Sequence, residues 1–485
     1  MNLPKARILC VPAMLALSAG CTTVGPDYVT PPAPAGIEEQ PSTDFEAVKE
    51  TPQVSAEPLP DRWWELYNDP ALDALVQAAL TANTDLREAA ANLERARATT
   101  SEARAAADVQ TSVSGQAAVG ETSNYGLGNP NGVHDTFSLG GDISYEVDVV
   151  GRIRRSIEAA TASEEAQLAA YDLARITIVA HVVGAYTDAC TAGASLAVAR
   201  HSADVQRQSL ALTQRGVEGG LFPRIDLVRS RGLLSQVEAS LPGYEAQRRL
   251  ALYRLAVLTG KAPQDFPAQL ATCHTIPSPD RPIPAGDGTA LIRRRPDIRQ
   301  AERQLHAATA QIGIETAALY PTVSLGASAG TTSRTIDGLV SDSAVHFSLG
   351  PLISWTFPNT KVARARIAQA QASAKAALAR FDGTVLTSLQ ETESALTQYA
   401  RDLEENAALR RAQQDSAEAL TLQTRMARNG VSSGLDLLDA QRSLVSADQS
   451  LAASNAKLAG DRVTIFLALG GGWEHGEEET SSAQD

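Results

Sequence analysis

Apolar positions along this chain follow two different periods, and the two alternate in the same order twice. From Pro70 to about Ala107 the sequence is alanine-rich, with Leu72, Leu75, Val76, Ala79 and Leu80 spaced to share one face of a helix. The period then drops to two. Val109, Thr111, Val113, Ala117 and Val119 precede a Gly/Asn loop over 124–132, and Phe137, Leu139, Ile143, Tyr145 and Val147 follow it, which predicts a hairpin of strands. The second occurrence has a helix over Arg295–Leu319, then Val323, Leu325, Ala327 and Ala329, a loop, and Val345, Phe347, Leu349, Ile353, Trp355 and Phe357. Each strand should run roughly 10 residues, the length that crosses a bilayer when tilted.

After each hairpin the pattern returns to helix for a long way. Arg152 to about Gly216 and Lys361 to about Asn429 are nearly free of proline and rich in Ala, Gln, Glu, Arg and Leu. That predicts helices of ~60 residues, or ~90 Å at ~1.5 Å per residue. Gly219-Gly220 and Asn429-Gly430 permit a left-handed cap and a turn, with return helices over Ile225–Leu258 and Leu435–Leu469. The register of the two halves is common. GGLFPRIDL (219–227) and NGVSSGLDL (429–437) set Asp226 and Asp436 at an offset of 436 − 226 = 210, which also pairs Phe137 with Phe347 and Tyr145 with Trp355. A tandem duplication accounts for this. The division it implies is a signal over 1–20, a lipidated extended arm over 21–62, repeats over 63–260 and 293–471, a Pro-rich surface connector over 261–292 and a disordered acidic tail over 472–485.

The amino terminus changes the picture by adding an address. Lys5 and Arg7 precede an apolar run from Ile8 to Leu17 and then Ser18-Ala19-Gly20-Cys21, an export signal too short for a mature spanning helix. LSAGC resembles a lipoprotein processing site that would make Cys21 the lipidated first residue, although the usual leucine stands one place early, at Leu17. An ordinary cleaved signal is the alternative. Thr22 after the cysteine resembles sorting to the outer membrane. Eight prolines between 22 and 60 exclude regular hydrogen-bonded structure there and predict an extended surface arm, with a floppy tether as the alternative. Losing Lys5 and Arg7 takes the net charge from −14 to −14 − 2 = −16, which argues against nucleic acid as a partner. Cys190 lies in a helical pattern and Cys273 in the Pro-rich connector, so number and spacing support no disulfide framework, and cysteine chemistry is expected to be absent.

Four strands cannot close a membrane barrel, because the smallest natural barrels need ~8 and an open edge in lipid leaves backbone groups unpaired. Chains must therefore associate. The segments CTTVGPDYVTPP, WWELYNDPALDALVQAAL, LIRRRPDIRQAERQLHAATAQIGIETAALYPTVSL and SGLDLLDAQRSL resemble the outer membrane factors of the TolC family, in the lipoprotein branch that serves tripartite drug-efflux pumps. The resemblance covers nearly the whole mature chain. It implies a mainly α fold with a β-barrel portion: a homotrimer whose twelve strands form one outer-membrane barrel, continued by a periplasmic α-barrel of duplicated helical hairpins. It also implies docking to a periplasmic adaptor and to an inner-membrane transporter of the resistance-nodulation-division type.

Asp436 and Asp439 stand at i and i+3 in the first turns of a return helix, where the helix dipole favours negative charge. A plain cap and a solvated acid would read the same way. The resemblance implies that they ring the narrow periplasmic mouth, six carboxylates per trimer, so that low pH or bound cation favours closure. In the first copy Asp226 matches Asp436, but Arg229 takes the place of Asp439, with Arg215, Arg224 and Arg231 nearby. These arginine-bearing hairpins are expected to brace the gate by ion pairs. The turns Gly220-Leu221-Phe222 and Gly430-Val431-Ser432 are helix caps, and similar tips in the family receive the adaptor. No HExxH, P-loop, Rossmann or partnered GxSxG motif is present, and His181, His201 and His306 stand singly, so no enzyme activity, cofactor or metal is expected. A type I protein-secretion duct or a metal exporter is the alternative, with three Met and seven His arguing against a soft-metal cargo.

Overall fold

The computed structural model describes residues 23–32, 45, 51–120, 133–286, 288–358, 360–429 and 431–471. The signal, Cys21, Gly430 and the acidic tail lie outside them. In chain order the elements are β1 (Val54–Ser55), α1 (Pro70–Ala82), α2 (Thr84–Ala105), β2 (Gln110–Gly120), β3 (His134–Val147), α3 (Arg152–Glu218), α4 (Arg224–Glu238), α5 (Leu241–Leu258), β4 (Ile283–Pro284), α6 (Gly288–Arg294), α7 (Pro296–Ala317), β5 (Thr322–Ser333), β6 (Val345–Ser354), α8 (Lys361–Arg428) and α9 (Gly434–Ala468). The two long helices have 67 and 68 residues. Two helices expected to be continuous are broken. Asn83 separates α1 from α2, its Oδ1 accepting from the amides of Asp85 and Leu86 while its Nδ2 donates to the Leu258 carbonyl. The first return helix ends at Glu238, because Pro242 in the next turn has no amide to donate and its ring crowds the preceding turn. The second return helix has no proline and runs unbroken for 35 residues.

The chain forms two compact units, and each takes residues from both repeats. One unit holds the four-stranded antiparallel sheet, in the order β2-β3-β5-β6. In it the stretch after Cys21 is fastened. The Val24 amide donates to the Val150 carbonyl at 3.0 Å, and Arg155 reaches both the Val24 carbonyl (3.2 Å) and Asp27 (2.6 Å). Tyr28 stacks on His306 with ring centroids 4.1 Å apart and donates to Glu302. Gly25, at φ +88°, lets the arm touch Gly313, where a Cβ would stand 2.5 Å from the Gly313 Cα. Residues 23–28 are a clamp, not a tether.

The other unit holds the main apolar core, which includes Trp63, Leu72, Val76, Val179, Val183, Leu255 and Phe466. Trp63 is fully buried and stacks on Phe466 at 4.4 Å, wedging the arm against α9. Three expectations need correcting here. The arm does form backbone pairing, since Val54–Ser55 lies parallel to Ile283–Pro284 of the connector, and Phe45, Val54 and Leu59 are buried rather than spread on the surface. The connector is likewise no mere surface strap, because Leu270, Ile283 and Ala285 are buried. Finally, Cys190 and Cys273 form a disulfide across a sequence separation of 83. Topology brings them together: the connector folds back over α3 so closely that a Cβ on Gly193 would stand 1.9 Å from the Cys273 carbonyl oxygen. Spacing along the chain carries no trace of that return.

The motif RRRPDIR serves this packing. Arg294 donates to the Leu59 carbonyl and Asp61, holding the arm. Arg295 pairs with Asp297 (2.7 Å) and Glu391 (2.9 Å) and donates to the Ala468 carbonyl at the last turn of α9 (2.9 Å). Its charge is thus matched on both sides, as a nearly buried guanidinium requires.

Candidate functional site

Residues paired across an antiparallel ladder point to the same side of the sheet. The register puts Val113 beside Gly141, Leu139 beside Thr331, Ile143 beside Ala327, Tyr145 beside Leu325, Ala327 beside Leu349 and Val323 beside Ile353. One face is therefore apolar across all four strands. The opposite face carries Ser112 beside Asp142, Gln116 beside Ser138, Ser144 beside Gly326 and Ser328 beside Ser348. Leu352 and Ala118 are the apolar exceptions on it. A surface of this kind has one side suited to hydrocarbon and one to water. Phe347 and Leu349 are 82% and 83% exposed, with no cover among the described residues. Strands of 10–14 residues rise ~3.3 Å per residue, so a tilt of about 45° spans the ~25–30 Å of hydrocarbon.

The sheet is open. Among the described residues β2 bonds only to β3 and β6 only to β5, which leaves two edges whose outward backbone donors and acceptors no described strand pairs. In lipid such edges must be paired by another chain. Where strand meets helix, Trp355 and Phe357 lie just past the end of β6 rather than in it, stacked at 4.8 Å, and the Trp355 indole donates to the Leu319 carbonyl. Tyr145, near the end of β3, is half-exposed. Amphipathic rings at these ends suit a headgroup layer.

The second group of residues lies in the other unit, at the turns of the helical hairpins. Asp436 and Asp439 are both exposed on the first turns of α9. Ser433 caps that helix reciprocally: the Asp436 amide donates to its Oγ (3.2 Å), while the Ser433 amide and hydroxyl donate to Asp436 Oδ2 (3.2 and 2.7 Å). Those bonds from Ser433, with a weaker one from Ser432, hold the Asp436 carboxyl below the ordinary aspartate range. Asp226 behaves differently from its counterpart. It is buried, its Oδ2 only 2.5 Å from where a Cβ on Gly434 would be, so its carboxylate rests on the first residue of α9. Arg229 reaches Asp226 of its own helix at 3.8 Å. Among the described residues no ion pair joins an arginine to Asp436 or Asp439, so within the chain the first repeat supports the second through Asp226 at a helix N-terminus.

Gly220, at φ +75°, turns the first hairpin, and the amides of Leu221 and Phe222 donate to the Gly216 carbonyl. Phe222 folds back over Gly216, where a Cβ would stand 2.1 Å from its ring, while Leu221 is 75% exposed. In the second hairpin Val431 is equally bare and the Ser432 hydroxyl donates to Gln423. Between the two hairpin ends lies a cleft of about 780 Å³, lined by Arg215, Phe222, Leu420, Arg428, Leu437 and Gln441 among others. Sequence reasoning found both turns but missed this cleft and the Tyr28 clamp, which depend on residues far apart in the chain.

An open sheet with one lipid-suited face, in a chain that also builds helical hairpins with acidic turns, defines a subunit of an outer-membrane channel. The family model for outer membrane efflux proteins matches residues 75–261 and 289–471. The chain belongs to the outer membrane efflux protein family. It is 32% identical over 465 residues to nodulation protein T of Rhizobium leguminosarum bv. viciae, covering 95% of this chain and 93% of that one. It is 30% identical over 461 residues to the toluene efflux pump outer membrane protein TtgC of Pseudomonas putida, covering 94% and 93%. Among solved structures, the outer-membrane channel OprN superposes with a TM-score of 0.86 at 32% identity, over 93% of this chain and 99% of that one. The open state of the MtrE outer membrane channel of Neisseria gonorrhoeae does so at 0.78 and 27% identity, over 93% and 99%. The protein is an efflux channel of the outer membrane that reaches into the periplasm.

Proposed function

We propose that three copies of this chain join β2 of one to β6 of the next in a twelve-stranded barrel, anchored by a lipid on Cys21, and form the exit duct of a tripartite pump. The observation that carries this reading is the open four-stranded sheet with its apolar face, which needs exactly such partners to satisfy both edges and lipid. The duct moves molecules passively and changes no bond. Its cargo is small and apolar or amphiphilic, in keeping with the toluene pump relative. A periplasmic adaptor fits the hairpin turns at Gly220, Leu221 and Phe222 and at Val431 and Ser432, together with Gly430, which lies outside the described residues, and the cleft between the hairpin ends, and links the duct to a resistance-nodulation-division transporter. Asp436 and Asp439 close the periplasmic mouth, with Asp226 and Arg229 supporting them. Residues 63–260 and 293–471 are the two duplicated copies of this design, joined by 261–292.

The test is assembly and conduction by the purified, lipidated protein. A three-fold particle that opens ion-conducting pores in planar bilayers is expected. A stable, fully conducting monomer would sink the proposal.

A further inference from the structure

Two aspartates of the α8–α9 hairpin meet in a way that ordinary ion pairing does not explain. Asp402 of α8 is 3% exposed. Its Oδ1 accepts from the Lys457 ammonium of α9 at 2.7 Å and from the Gln398 amide at 2.9 Å. Its Oδ2 is buried with no donor, and so is Oδ2 of Asp461 on α9. Lys457 and Asp461 stand one turn apart on the same side of α9, so the Lys457–Asp402 bond brings the Asp461 carboxyl up to Asp402, and each carboxyl is perturbed by the other. An ionised carboxylate only accepts, so two such oxygens can face each other stably only if a hydrogen lies between them. We propose that Asp402 and Asp461 share one proton, and that this acid pair is a proton-controlled latch holding α8 to α9.

The surrounding charges define how the latch works. From α9 come Lys457 and Arg462; from α8 come Glu405, 3.9 Å from Lys457, and Tyr399, whose hydroxyl accepts from Arg462; Tyr67 of the 3-10 turn Trp63–Tyr67 lies beyond, next to Arg462 and Tyr399. With one proton the pair carries a single negative charge, matched by Lys457. Without it two negative charges lie at contact distance, and Lys457, already bonded to Asp402, cannot neutralise both. The two carboxyls are unequal. Burial, followed by the hydrogen bond and charge of Asp402, pushes the Asp461 carboxyl up to about 7. Burial pushes Asp402 up as well, but hydrogen bonds from Lys457 and Gln398 outweigh it and leave it below the ordinary range. Asp461 thus keeps its proton in the folded chain well above the ~3.9 at which an unfolded aspartate loses it. Its stabilising effect is complete below that value and is lost as pH rises through about 7. The latch is closed in acid and released in mild alkali, whether or not Asp436 and Asp439 gate the mouth.

The full-length lipidated protein tests this by difference infrared spectroscopy between about pH 5 and pH 9, a range that brackets the shift from the unperturbed aspartate value. The expected result is a protonated-carboxyl band that disappears with a midpoint near 7 and is absent in Asp461→Asn. In parallel, spin labels on exposed Ala408→Cys and Ala453→Cys report the separation of α8 and α9. That separation should widen with rising pH in the otherwise native chain. It should stay fixed in Asp461→Asn, whose amide donates to Asp402 and stays neutral at every pH, and in the reciprocal Asp402→Asn. A missing carboxyl band at neutral pH, or an asparagine variant that keeps the native pH response, overturns the latch.

Discussion

Replacing both Cys190 and Cys273 by alanine isolates the contribution of one covalent clasp. The bond closes a loop across a sequence separation of 83. Restricting the unfolded chain over such a loop is worth roughly 4–5 kcal/mol by the chain-entropy relation. Alanine is the better substitute, because Cys190 is completely buried and a serine hydroxyl there would lose its solvation without a promised partner. The connector keeps two other attachments, the β1–β4 pairing and the burial of Leu270 and Ile283, so the loss should appear first as local opening of 261–282 rather than as global collapse. Lys261, followed by Ala262, is the site in that stretch that trypsin can cut, and it becomes a good substrate when the backbone there detaches, whereas Arg281 precedes Pro282 and resists the enzyme. If the whole entropic term bears on this local opening, the open population, and with it the cleavage rate, rises by up to a few thousand-fold, on the order of three to four decades. The assay is limited trypsinolysis of folded protein with peptide mapping, alongside guanidinium unfolding. Unchanged cleavage at Lys261 together with an unchanged midpoint would show that packing alone holds the connector and that the disulfide is idle.

Further outcomes can be checked directly. Alanine at Asp436 and Asp439 should enlarge single-channel conductance and weaken cation block, and unchanged conductance would refute the gate. Ser433→Ala removes the hydroxyl bond, the strongest of those that depress the Asp436 carboxyl, and leaves the backbone one in place. A depressed carboxyl contributes above the unfolded value of ~3.9 and loses that contribution as pH falls through its folded value. The acid midpoint of cation block should therefore move to higher pH in Ser433→Ala. Leu349→Arg, on the apolar face near the middle of β6, should cost ~2–4 kcal/mol per strand in a membrane and abolish the assembled trimer. Ser348→Arg, one residue away on the other face, should assemble and shift ion selectivity, and equal assembly defects in both would contradict the assigned faces. Arg295→Met should leave Asp297 and Glu391 without their common cation and destabilise the chain by ~3–5 kcal/mol, read as a lower unfolding midpoint.

What could be read from sequence was whatever depends on neighbours along the chain. Period two at Val113–Val119 and Phe137–Val147 marked strands, and the proline-free stretches from Arg152 and Lys361 marked helices whose ends fall within two residues of those expected. The break at Pro242 was legible in principle but was outweighed by the periodicity around it. The disulfide, the buried arm and the carboxyl pair were invisible because each joins residues that only the completed fold makes adjacent. Arg229 shows the limit of reading charge alone. Its sign suggested a brace to the neighbouring hairpin, yet it faces its own Asp226, and the contact between repeats is made by a carboxylate against Gly434.

The half-finished sheet also governs what happens before the channel exists. A newly exported copy arrives with a greasy flank and two sticky rims, the features that drive chains to clump indiscriminately. Its survival in the aqueous space between the membranes therefore depends on that flank staying shielded until further copies complete the sheet. Productive insertion should then rise steeply with the supply of copies, while any surplus is cleared as waste.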